Sequence, residues 1–94
     1  MYMRVVRFTD VSRERVEDVL ERIRAAEGPP PGVPSNAIKL LFDAQQGTAV
    51  VLQYFETAED MDAGARVFAA MDPSETPGTR DSVDACEVKL ELQT

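Results

Sequence analysis

The stretch NAIKLLFDAQQGTAVVLQYFETAEDM, residues 36–61, decides the fold, because its hydrophobic period changes twice within 26 residues. Asn36–Asp43 and Thr48–Glu56 alternate as strands do, and they straddle Ala44-Gln45-Gln46-Gly47, whose glycine can supply the positive φ of a short hairpin loop. Thr57-Ala58-Glu59-Asp60 then resembles a capping box, with Asp in place of the usual Glu or Gln, and announces a helix over Ala58–Met71. Met61, Ala65, Phe68 and Ala69 are its expected core stripe, and Gly64 allows close approach to another backbone.

Outward from this unit, the same order repeats. Met1–Phe8 alternates. Ser12–Ala26 has helical spacing, with Val16, Val19, Leu20, Ile23 and Ala26 on one side, and Thr9-Asp10 or Ser12 as its cap. Ser82–Leu92 alternates over most of its length, with Cys86, Val88, Leu90 and Leu92 as an apolar row expected beneath the helices. The order is βαββαβ. It predicts one α+β, ferredoxin-like domain over residues 1–94: a four-stranded antiparallel sheet with two helices on one face. Two longer connections interrupt the pattern, the proline-rich run at residues 28–34 and the polar loop Ser74–Asp81.

Composition narrows the partners. Ten basic against seventeen acidic side chains give a net charge of −7, which repels phosphate backbones and anionic lipid, so neither nucleic acid nor a membrane surface is an expected partner. Residues 1–55 carry seven basic and seven acidic groups, so the whole excess lies in residues 56–94, with three basic and ten acidic. The N-terminus places Arg4 and Arg7 in its apolar run and lacks a secretory signal pattern, which predicts a cytoplasmic protein. With one cysteine and no histidine, no internal disulfide or nucleophile–imidazole pair can form, and no metal site is expected. Cys86 reads as a small buried hydrophobe.

Strand alternation also predicts what lies on the far side of the sheet. Ile38, Leu40 and Phe42 share one face of their strand, and Lys39, Leu41 and Asp43 share the other. Val50, Leu52 and Tyr54 alternate with Ala49, Val51, Gln53 and Phe55, so large apolar groups stand on both faces. The face away from the helices therefore needs a cover, and a second copy of the sheet is the economical one.

On these residues the chain resembles the dimeric α+β barrel superfamily, especially small antibiotic-biosynthesis-monooxygenase-like proteins. The likeness runs through Met3-Arg4-Val5-Val6-Arg7-Phe8, Ala49–Phe55, Thr57–Met61 and Cys86–Leu90. It implies a homodimer with sheets paired face to face and a ligand held between sheet and helices. It also implies activities that include cofactor-free oxygenation of aromatic compounds and haem degradation. The axial histidine of the haem-degrading relatives has no counterpart here, and tryptophan is absent too.

The expected function is binding of a small apolar or aromatic molecule by a homodimer without a cofactor, with cofactor-independent oxidation as the implied chemistry. The alternative is a non-catalytic dimerisation or regulatory module. Tyr54 is the first candidate ligand contact, since a phenol both stacks and hydrogen-bonds, with a dimer-core role as the plainer reading. Lys39 or an arginine would stabilise a substrate anion, and Asn36 or Gln53 would orient a carbonyl group. Arg4 and Arg7, three apart, must face opposite sides of a regular strand. Each is expected as a sheet or rim cation, with Glu87 and Glu91 as partners if the first and last strands pair.

Overall fold

A computed structural model of the chain describes residues 1–26, 35, 37–71 and 76–93. The elements run β1 (Tyr2–Thr9), α1 (Arg13–Ala26), β2 (Ala37–Asp43), β3 (Thr48–Phe55), α2 (Ala58–Ala69) and β4 (Thr79–Glu87). The sheet order is β2-β3-β1-β4 with every pair antiparallel, the ferredoxin-like arrangement that the alternating periods predict. The proline-rich run, Asn36 and part of the Ser74–Asp81 loop lie outside the described residues.

Local chemistry sets the element ends. The Ala44–Gly47 loop closes with Gly47 at φ 66°, and the Asp43 carboxylate accepts the Gln45 and Gln46 amides at 3.1 and 3.2 Å. Thr57 caps α2, its hydroxyl accepting the Asp60 amide at 3.0 Å, as the capping-box pattern predicts. At α1 the cap is Ser12, which accepts from the Arg15 amide at 3.2 Å. Asp10 instead takes a left-handed φ of 55° in the turn before it, so the Thr9-Asp10 option is not used. Short polar side chains tolerate that region better than most. Val11 follows, buried, and its amide donates to the Gly47 carbonyl at 2.9 Å, tying the β1–α1 turn to the hairpin.

Two apolar clusters form on the helix side. Val6, Phe8, Val11, Val16 and Ala49 make the first, with Leu20, Leu40, Phe42 and Val51 packed against it. Phe55 and Met61 make the second, joined by Tyr2, Val67 and Phe68. The first is roofed by α1 and the second by α2. The expected α1 stripe fades toward its end, where Ile23 and Ala26 are exposed.

The last strand departs from expectation. It begins three residues earlier than its period suggests and ends at Glu87, leaving Leu90 and Leu92 beyond it at 74% and 73% exposure. Cys86 is exposed rather than buried. The cause is register: Cys86 pairs with Met3 and Ala85 with Arg4, so Cys86 points to the side without helices. As an edge strand covered on neither face, β4 exposes all nine of its residues.

Gly78, at the entry to β4, is buried against the β1–α1 turn, where an added Cβ would collide with the Thr9 carbonyl oxygen and stand 2.8 Å from Val11 Cγ2. Backbone on one side leaves little room to yield. Gly78→Ala is expected to lower stability by about 1–3 kcal/mol, read as a reduced urea midpoint with an unchanged slope.

Candidate ligand site between the helices and the sheet

Register places the expected site residues on two different faces. Ile38, Gln53, Arg4 and Ala85 form one row across the sheet on the helix side, whereas Ala37, Tyr54, Met3 and Cys86, and Lys39, Leu52, Val5 and Asp84, form rows on the other. Arg4 is therefore separated from Tyr54 and Lys39 by the thickness of the sheet, and these residues do not make one site. Asn36 lies outside the described residues. Its neighbour Ser35 donates to the carbonyls of Ala37 and Tyr54 at 3.0 and 3.3 Å, pinning the entry of β2.

Arg4 is no rim cation. Only 4% of its surface is exposed, and Nη1 donates to Gln53 Oε1 at 3.1 Å, with Gln53 itself 2% exposed. The pair sits at the seam between the two apolar clusters, sharing their face with Val6 and Phe8 on one side and Tyr2 and Phe55 on the other. The Phe68 ring covers the guanidinium, its centroid 5.0 Å from Cζ. Such a cation over a ring face is favourable, though far less so than hydration or an ion pair.

The expected partners of the two arginines are not the ones used. Strands β1 and β4 do pair, but Glu87 binds Lys89 at 3.1 Å, while Arg7, exposed on the helix-free face, meets Asp81 at 3.6 Å. No carboxylate among the described residues lies within ion-pairing distance of Arg4, and its Nε is buried without a partner. Burial, then the nearby Arg80 charge, holds its guanidinium below the usual arginine range. Arginine nevertheless stays charged at neutral pH, so the fold keeps an uncompensated cation, a burden on the order of several kcal/mol.

Beside this seam lies a cleft of about 720 Å³, lined among the described residues by Arg15, Ala69, Met71, Thr76, Gly78, Thr79 and Arg80. Arg15 donates to the Thr76 carbonyl at 2.8 Å, and Arg80 Nη2 donates to the Phe68 carbonyl at 3.3 Å. Phe68 thus stands between cleft and seam, its backbone held by Arg80 and its ring resting on Arg4. Sequence reading assigned Phe68 to the core stripe and passed over Arg80. No period marks the polar segment entering β4, so no local signal relates Arg80 to Arg4, 76 positions away.

The helix-free face carries its own apolar surface. Met3, Val5, Val50, Leu52 and Tyr54 are half-buried there, Leu41 is 50% exposed, and Lys39 stands in the same row as Leu52. Val50, Leu52 and Tyr54 share this face, the condition on which face-to-face pairing of two sheets depends. No group of three or more metal-ligating side chains converges among the described residues, and no helix there is long and apolar enough to cross a membrane.

The Arg4–Gln53 pair reads as a stability burden, which sets its own test. Replacing both by apolar residues of similar size, Arg4→Met with Gln53→Leu, is expected to stabilise the ligand-free protein by about 1–2 kcal/mol in urea unfolding. Arg4→Met alone should gain less, because it strands the Gln53 amide.

No family model matches the chain, and no curated protein matches it. Among solved structures it is similar to a crystal structure of a MhuD mutant with two manganese protoporphyrin IX molecules bound per active site. The identity is 16%, the TM-score 0.66, and the whole of each chain is covered. At that identity the likeness shows the fold alone: the two chains share a ferredoxin-like α+β scaffold over their whole length.

Proposed function

We propose that the chain is a homodimeric α+β barrel protein that binds a small apolar or aromatic molecule on the helix side of its sheet. The observation that carries this reading is the cleft of about 720 Å³ beside the seam. Its size falls in the usual range for small-molecule sites, and such sites combine apolar walls with a few fixed polar groups. Here Ala69 and Met71 are the apolar part and Arg15, Thr76 and Arg80 the polar part. The two porphyrins in the MhuD mutant support a ligand role for this scaffold.

A metalloporphyrin itself does not fit these residues well. The chain has no histidine to ligate the metal, and its one thiol, Cys86, projects from the opposite face of the sheet. The ligand is therefore read as an organic molecule that needs no resident metal.

Dimerisation is assigned to the helix-free face. Met3, Val5, Leu41, Val50, Leu52 and Tyr54 form an apolar surface at its centre, and a second copy of that surface is self-complementary under a two-fold axis. A stable interface of this kind needs about 800 Å² from each partner. Tyr54 and Lys39 would then lie inside the barrel, with Tyr54 packing across the interface and the Lys39 ammonium reaching toward its rim.

Native mass spectrometry of gently purified protein tests both halves at once. A species of twice the chain mass carrying a discrete small-molecule adduct is expected. A monomer would overturn the dimer, and a bare dimer that takes up no aromatic probe would leave a non-catalytic dimerisation module. A recovered ligand consumed with uptake of O₂ by metal-free protein would extend the reading from binding to cofactor-independent monooxygenation. Leu52→Asp, at the centre of the helix-free face, should yield a folded monomer in sedimentation equilibrium. Its carboxylate would have to give up its water at the centre of the dimer interface.

A further inference from the structure

Arg4 and Arg80 are two cations close enough for Arg80 to disfavour the charge on Arg4, and neither meets a carboxylate among the described residues. The first is 4% exposed with an unpartnered Nε, and the second lines the cleft. Among the described residues that line the cleft none is acidic, and Arg80 is one of them, in a chain whose net charge is −7. A buried unpaired donor and a like-charged neighbour are each unfavourable alone, and one ligand anion relieves both.

We propose that the molecule bound in this cleft is an organic anion, an apolar or aromatic body bearing a carboxylate, sulfonate or comparable group. Its charged group lies between Arg80 and Arg4, in the position the Phe68 ring now holds over the Arg4 guanidinium. Phe68 is half-buried in the last turn of α2, one residue before that helix ends at Ala69, where a ring can swing aside at least cost to the helix. Arg4 then exchanges a cation–π contact for charge-assisted hydrogen bonds, while Gln53 keeps its orientation through Nη1.

This inference rests on the cleft being a ligand site, and the test separates the two claims. Anilinonaphthalene sulfonate and N-phenylnaphthylamine share one aromatic frame, the first with an anionic group and the second without, and both brighten in apolar surroundings. In fluorescence titrations the sulfonate is expected to bind at least about tenfold more tightly than the neutral amine. Arg80→Gln and Arg4→Met should each abolish most of that preference, weakening the sulfonate at least about fivefold more than the neutral amine. Arg7→Gln, on the opposite face, should preserve the preference. Arg80 is exposed, so its replacement keeps the test valid even if the Arg4 variant fails to fold. Equal binding of the two probes, or a preference insensitive to Arg80→Gln, would overturn the anion and leave the cleft standing. Failure of both probes to bind would overturn both.

Discussion

The hydrogen bond from Arg4 to Gln53 is the constraint around which the helix side of this protein is arranged. It links the two central strands at the point where one continuous core would otherwise form, and divides that core into a cluster under α1 and another under α2. A small domain has little stability to spare, and an apolar pair in this row would pack more favourably. The guanidinium kept there has no counter-charge among the described residues.

The same row explains the role of Phe68. Because α2 is fixed at its start by the Thr57 cap and by Met61 beneath it, its last turn delivers Phe68 onto the guanidinium, while Arg80 from the start of β4 holds the Phe68 carbonyl. Three elements from distant parts of the chain meet at one charge. The entry to β4 is set in turn by Gly78, whose missing side chain lets the backbone lie against Thr9 and Val11.

The two faces of the sheet differ in character. The helix side holds the buried Arg4–Gln53 pair beside the cleft, and the helix-free side has an apolar centre. Adjacent residues on one strand belong to different surfaces, so Gln53 and Tyr54, neighbours in sequence, stand on opposite faces of the sheet.

Alternation and helical spacing were enough to determine the βαββαβ order, the hairpin at Gly47, the Thr57 cap and the opposite facing of Arg4 and Arg7, because each is a local property of a few consecutive residues. Depth and register were not local. A buried Arg4 resembles an edge arginine in sequence, since both interrupt an apolar run, and only strand order puts β1 at the centre of the sheet. Cys86 shows the reverse error: its alternating row looks like core, but one pairing, Cys86 opposite Met3, turns it to the uncovered side. The strands and helices were therefore written in the sequence, whereas the tertiary structure alone decided which polar groups lost water and which cations met, because burial and charge pairing depend on elements brought together from far along the chain.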